Sequence, residues 1–106
     1  MNLKWDFMAK KNLKAHALIE RGVNAHKAGQ FDTAEIFYKR ALKSDKNNAD
    51  LLHLLGLISH QTGRHKYAAQ LIKRALLIKP DEPNYSINLA IILNTLSLWL
   101  EAEKVC

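Results

Sequence analysis

Leu51, Leu52, Leu54, Leu55 and Ile58 recur at the i, i+3, i+4, i+7 spacing of one helical face, and Ala68, Leu71, Ile72, Ala75 and Leu76 do so again further along. Between these stretches the apolar pattern stops at Gln61-Thr62-Gly63-Arg64, and a matching break, Lys27-Ala28-Gly29-Gln30, falls earlier. Glycine at such a break takes the left-handed conformation that ends a helix. Asp32, followed three residues on by Glu35, reads as a capping box that opens the next helix. Lys79-Pro80-Asp81-Glu82-Pro83 closes one segment and opens another, because proline stops a helix yet suits the first turn of the next. The pattern therefore predicts helices in pairs.

The pairs repeat. At an offset of about 34 residues, a period in the range of repeat proteins, Gly22 aligns with Gly56 and Ala90, Gly29 with Gly63 and Ser97, and Ala34 with Ala68 and Ala102. Lys39-Arg40-Ala41-Leu42 returns as Lys73-Arg74-Ala75-Leu76. In such an array each unit buries its apolar face only against its neighbours. The fold class expected is all-α, an α-α superhelix or solenoid of about two and a half helix-turn-helix units. The units are residues 15–48, 49–82 and a partial third at 83–106. Residues 1–14, with Leu3, Trp5, Phe7, Met8 and Leu13 among lysines, form a separate amphipathic extension. The small residues at positions 22, 34, 56, 68, 90 and 102 let helix axes approach closely, and Phe31, Tyr38 and Leu55 fill the volume that remains.

Composition narrows the function classes. The 106 residues are 48% hydrophobic, enough for one packed domain, and carry a net charge of +6 spread over both halves. A single cysteine, Cys106, excludes an intramolecular disulfide and a cysteine-based zinc cluster, and suits a reducing, cytoplasmic setting. The start carries no secretory signal, and the apolar stretch Ile87 to Leu100 is broken by Asn88, Asn94, Thr95 and Ser97, so no membrane span is expected. There is no Gly-rich phosphate loop and no nucleophile with a base at readable spacing, so the chain is not expected to be an enzyme and needs no cofactor.

These residues resemble the tetratricopeptide repeat family. The second unit carries Leu55-Gly56, Gly63, Ala68, Ile72, Ala75-Leu76 and Pro80 in the family's places, with Leu52 and Ser59 replacing its Trp and Tyr. The first keeps Gly22, Gly29, Phe31, Ala34, Tyr38 and Ala41-Leu42, and the third offers Leu89-Ala90, Trp99 and Ala102. The resemblance implies a protein or peptide partner held in a concave groove lined by the first helix of each unit. Its groove positions fall on His16, Ile19, Val23, His26, Lys27, Asp50, His53, Leu57, His60, Gln61, Asn84, Ile87, Asn88, Ile91 and Asn94. The centre is aliphatic and the rim His, Asn and Lys, which suits an extended peptide or an amphipathic helix. The carboxylate-clamp subtype would need Lys and Asn where Ile19 and Val23 stand. Asn88-Leu89-Ala90 resembles the repeats of O-linked N-acetylglucosamine transferases, though Leu54 and Glu20 occupy the equivalent Asn positions, so a substrate-recruiting region of a larger glycosyltransferase-type enzyme is the alternative function.

Other clusters carry less. His53 and His60 lie roughly 10 Å apart along one helix, too far to share an ion. His26 and His60 occupy equivalent places on neighbouring helices and are expected to approach each other, but no metal site is expected. Lys39, Arg40, Lys43, Lys73 and Arg74 make a solvated outer face without interleaved aromatics, so no specific nucleic-acid partner is expected. Residues 83–106 are expected to form a two-helix hairpin with Ser97 in the turn. The alternative is one straight helix, since Leu89, Ile92, Leu93, Leu96 and Leu100 keep an unbroken stripe. With incomplete cover on Leu93, Leu96, Trp99, Leu100 and Val105, self-association into a homo-oligomer through this C-terminal segment is expected.

Overall fold

The computed structural model describes the backbone of residues 3–105 and the side chains of residues 13–104. It contains α1 (Leu3–Lys27), α2 (Phe31–Ser44), α3 (Ala49–Gln61), α4 (His65–Ile78) and α5 (Pro83–Val105). Successive helices pack on one another, and α5 also touches α3, so α2 and α4 form one layer while α1, α3 and α5 form the other. The result is an elongated body, 65 × 29 × 19 Å. Among the described residues no helix is long and apolar enough to cross a membrane.

Both glycine turns form. Gly29 has φ 77° and Gly63 φ 88°, the left-handed region that residues with a Cβ avoid. Behind them Gln30 N–H donates to the Ala25 carbonyl at 2.9 Å, and Arg64 N–H to that of Ser59 at 2.8 Å, closing both helix ends in the same way. The third turn does not form. Ser97, which stands in the glycine position, continues the helix, and α5 runs straight through to Val105. The expected hairpin is thus replaced by the single helix, for a local reason: serine enters the left-handed conformation only at a cost that glycine escapes. The N-terminal extension is likewise continuous with the first repeat helix inside α1.

The capping box at Asp32 and Glu35 is also corrected. The residue capping α2 is Gln30, without a side-chain hydrogen bond, and Asp32 lies inside the first turn. Glu35 instead spans the two units, accepting from Arg64 Nη1 at 2.7 Å and Nη2 at 2.6 Å and pairing with Lys39 at 2.9 Å. The cap that sequence reasoning missed is Asn48, whose Oδ1 accepts from Leu51 N–H at 3.0 Å to start α3.

The core runs along both layers and is centred on α3 and α4. Leu51, Leu52, Leu55, Ile58, Leu71 and Ile72 are buried there, with Tyr38 from α2, each such aliphatic contributing roughly 2 kcal/mol by leaving water. Ser59, in the place of the family's tyrosine, is fully buried, and its hydroxyl donates to the Leu55 carbonyl at 2.8 Å. Two glycines set the distance between paired helices. A Cβ on Gly22 would stand 2.4 Å from Tyr38 Cε1; one on Gly56 would stand 2.7 Å from Ile72 Cγ1 and 3.3 Å from the Ala68 carbonyl.

Two predictions follow from this packing. Gly56→Ala overpacks the α3–α4 contact and should lower stability by about 1–3 kcal/mol in urea unfolding; an unchanged midpoint would show that the helices separate freely. Glu35 is held down by its Arg64 hydrogen bonds against the opposing effect of burial, with Lys39 assisting, so that its carboxyl titrates at about 2. A depressed carboxyl stabilises the fold above the ordinary value of 4.5 and loses that contribution as pH falls toward 2. Glu35→Gln should therefore cost about 1–2 kcal/mol at neutral pH, both cations being open to water. It should also flatten acid unfolding over that window; parallel acid curves for the two proteins would refute the assignment.

Candidate functional site

The layer of α1, α3 and α5 carries the residues expected to line a groove, and the structure divides them into two kinds. The first kind links neighbouring repeats. His26 Nε2–H donates to Gln61 Oε1 at 2.7 Å, joining α1 to α3, while its Nδ1 accepts from the Tyr38 hydroxyl at 3.4 Å. The ring also stands edge-on to Phe31, 5.7 Å away. Asn88 Nδ2 donates to His53 Nε2 at 2.8 Å, joining α3 to α5. Tyr85, buried beneath the His53 ring at 4.6 Å, donates its hydroxyl to Asp50, which also faces Lys79.

These contacts share a register. His26 with Gln61, Asp50 with Tyr85 and His53 with Asn88 are each separated by 35 residues. Neighbouring first helices therefore meet one residue beyond the sequence period. That slip explains why His26 finds Gln61 rather than the equivalent His60, correcting the expected approach of the two histidines. His60 turns to His65, with Nδ1 atoms 2.9 Å apart across the α3–α4 turn, and the His65 ring lies 5.8 Å from that of Trp99. Neither residue 65 nor that contact was legible from the spacing of the histidines. Among the described residues no three His, Cys, Asp or Glu side chains gather where they could hold a metal ion.

The second kind is open. Ile87 and Ile91 of α5 are 57% and 51% exposed. Leu57 is half-buried on α3, and Ile19 and Val23 on α1 line a shallow depression of about 300 Å³ together with Glu20 and Asn24. Around them His16, Lys27, Asn84 and Asn94 are exposed, and His16 faces Glu20 at 3.6 Å. Of the proposed self-association residues, Leu93, Trp99 and Leu100 are exposed, Leu96 is half-covered, and the side chain of Val105 lies outside the described residues. Leu96 and Trp99 line a second shallow hollow with the start of α4.

Two imidazoles are electrostatically distinctive. Burial pushes the His53 pKa below its ordinary value, opposed in part by Asp50 and Glu82, and burial with the neighbouring His65 lowers that of His60. The Asp50 carboxyl is lowered first by its hydrogen bond from Tyr85.

A sequence profile described as tetratricopeptide repeat matches residues 25–90. The chain belongs to the tetratricopeptide repeat family. The human protein O-mannosyl-transferase TMTC1 is 32% identical over 89 residues, 84% of this chain but 10% of that protein. The O-GlcNAc transferase of Thermobaculum terrenum superposes with a TM-score of 0.76 at 31% identity, covering 78% of this chain and 16% of that one. The second repeat domain of Spaghetti (RPAP3), solved bound to an HSP90 peptide, superposes at 0.82 over 93% of this chain and 91% of its own, at 19% identity. The chain thus spans only a small fraction of the two transferases it matches, while its fold is that of the whole RPAP3 domain. The tetratricopeptide fold supports a protein-interaction module.

The His53 geometry yields a pH dependence. A folded-state pKa below 6.5 means that the α3–α5 hydrogen bond is fully present above that pH and is lost as pH falls through the lower folded value. Protonation turns the acceptor facing Asn88 into a second donor. Ring-proton NMR should place the His53 midpoint below 6.5, with the Asn88 side-chain amide shifting in step; a midpoint above 6.5 would contradict this arrangement.

Proposed function

We propose that the chain binds an apolar segment of a protein partner, an extended peptide or one face of an amphipathic helix, along the layer of α1, α3 and α5. The observation that carries this reading is the exposure of Ile87 and Ile91 on the same layer as Ile19, Val23 and Leu57. His26 and His53 are occupied in holding the repeats together, so the open positions at the centre are aliphatic. Burial of apolar side chains would supply most of the affinity, and exposed Asn84, Asn94 and Lys27 at the edges would orient the ligand. The peptide in the RPAP3 domain illustrates that this fold accommodates one; with Ile19 and Val23 at the clamp positions, an acidic tail is not the ligand expected here. The reading keeps the cytoplasmic setting that the single cysteine suggests.

A recruiting region of a glycosyltransferase-type enzyme is the less favoured reading. Of its asparagine positions this chain carries only Asn88, and that side chain is engaged with His53. A second reading, self-association through α5, is favoured by the exposure of Leu93 and Leu100 on a helix that continues where a turn was expected.

Selection of peptides from a random displayed library tests the main reading. Enriched sequences should be rich in aliphatic and aromatic residues, should shift the amides of Val23, Leu57 and Ile91, and should bind Ile91→Asp at least tenfold more weakly, about 1.4 kcal/mol. Peptides that bind Ile91→Asp and Val23→Asp undiminished and shift only α2 and α4 would overturn it.

A further inference from the structure

We propose that two copies of this chain pair through antiparallel α5 helices, about a two-fold axis midway between Leu93 and Ser97, an inference that rests on the self-association reading and specifies its register. The face involved is the one that takes an antiparallel helix elsewhere in the same molecule. Gly22 on α1 receives Tyr38 of α2, and Gly56 on α3 receives Ile72 of α4. Ala90 stands at the equivalent position on α5 and is exposed. From it runs a seam of Ser86, Ala90, Leu93, Ser97, Leu100 and Lys104, spaced alternately by four and three residues, all exposed and lying on the flank beside the buried Tyr85 and Ile92 that hold α5 to the body.

The seam is complementary to itself only when reversed. Turned about the point between Leu93 and Ser97, it sets Ala90 against Leu100 of the second copy, Leu93 against Ser97 of the second copy, and Ser86 against Lys104 of the second copy. Each large side chain then meets a small one, which is what an isologous contact demands and what lets helix axes come close. Charge is compatible: Glu82, which also lies near His53 and Tyr85 of its own chain, precedes Ser86 by one turn and so comes toward the opposing Lys104. Within its own helix Lys104 faces Glu101 at 3.9 Å, and the antiparallel helix dipoles are favourably aligned. The contact extends over about 27 Å of helix. One helix pair of that length lies at the small end of specific interfaces, so the dimer is expected to dissociate on dilution. The seam is distinct from the Ile87 and Ile91 surface, which a peptide can occupy while the dimer persists.

Light scattering on a size-exclusion column across a dilution series, followed by disulfide trapping, tests this in the full chain with Cys106→Ser. A concentration-dependent dimer is expected. Leu93→Asp should weaken it more than tenfold with the helical circular dichroism unchanged, whereas Ile91→Asp should leave it intact. On mild oxidation, Leu93→Cys combined with Ser97→Cys should trap the dimer, and Ile87→Cys combined with Leu98→Cys should not. A dimer that resists Leu93→Asp and is not trapped at 93 and 97 would overturn the register while leaving self-association standing. A monomer at every concentration would overturn both and leave the face to another helix, such as one following in a longer chain.

Discussion

The close approach of paired helices at Gly22 and Gly56 is the constraint on which the rest of the molecule depends. With no Cβ at either place, Tyr38 and Ile72 press directly against the neighbouring backbone. That contact fixes how far apart the two layers sit and how each hairpin is staggered. Between repeats a separate register applies. A one-residue slip beyond the sequence period is enough to pair His26 with Gln61 and His53 with Asn88, and to free the aliphatic positions beside them.

The paired helices, the two glycine turns and the core faces were legible because they follow from local rules: apolar spacing, left-handed glycine and the repetition of both. The site was less legible. Sequence equivalence placed His26 opposite His60, yet a helix-to-helix contact depends on axial slip, which a repeat period does not encode. Glu35 looked like a cap because the spacing to Asp32 was right, and its true partner, Arg64, lies 29 residues away in the next unit. Ser97 shows the opposite situation. The local signal was present in the missing glycine, but the family pattern argued for a turn, and the energetic preference of a single residue prevailed.

The fate of the histidines shapes what the surface can recognise. His26 and His53, which could have met a ligand, are used to join repeats, and the exposed aliphatic side chains of α5 fall on two separate flanks. One flank continues the surface of α1 and α3; the other repeats the face on which α1 and α3 receive their own partners. A straight fifth helix therefore gives this short array two apolar surfaces where a hairpin would have covered one.

The junctions between repeats are chemically unequal. Both carry an imidazole bond, His26 to Gln61 and His53 to Asn88, but the first adds a carboxylate and a guanidinium that stay ionised together far into acid, and the second a phenol–carboxylate contact. In a one-dimensional array, where each unit is stabilised chiefly by its neighbour, such inequality makes each junction answer to its own conditions. A proton taken up by His53 removes the α3–α5 hydrogen bond, whereas the Glu35–Arg64 pair persists until the pH nears 2, so acid acts on the two junctions through different groups although the two core repeats are nearly the same in sequence pattern.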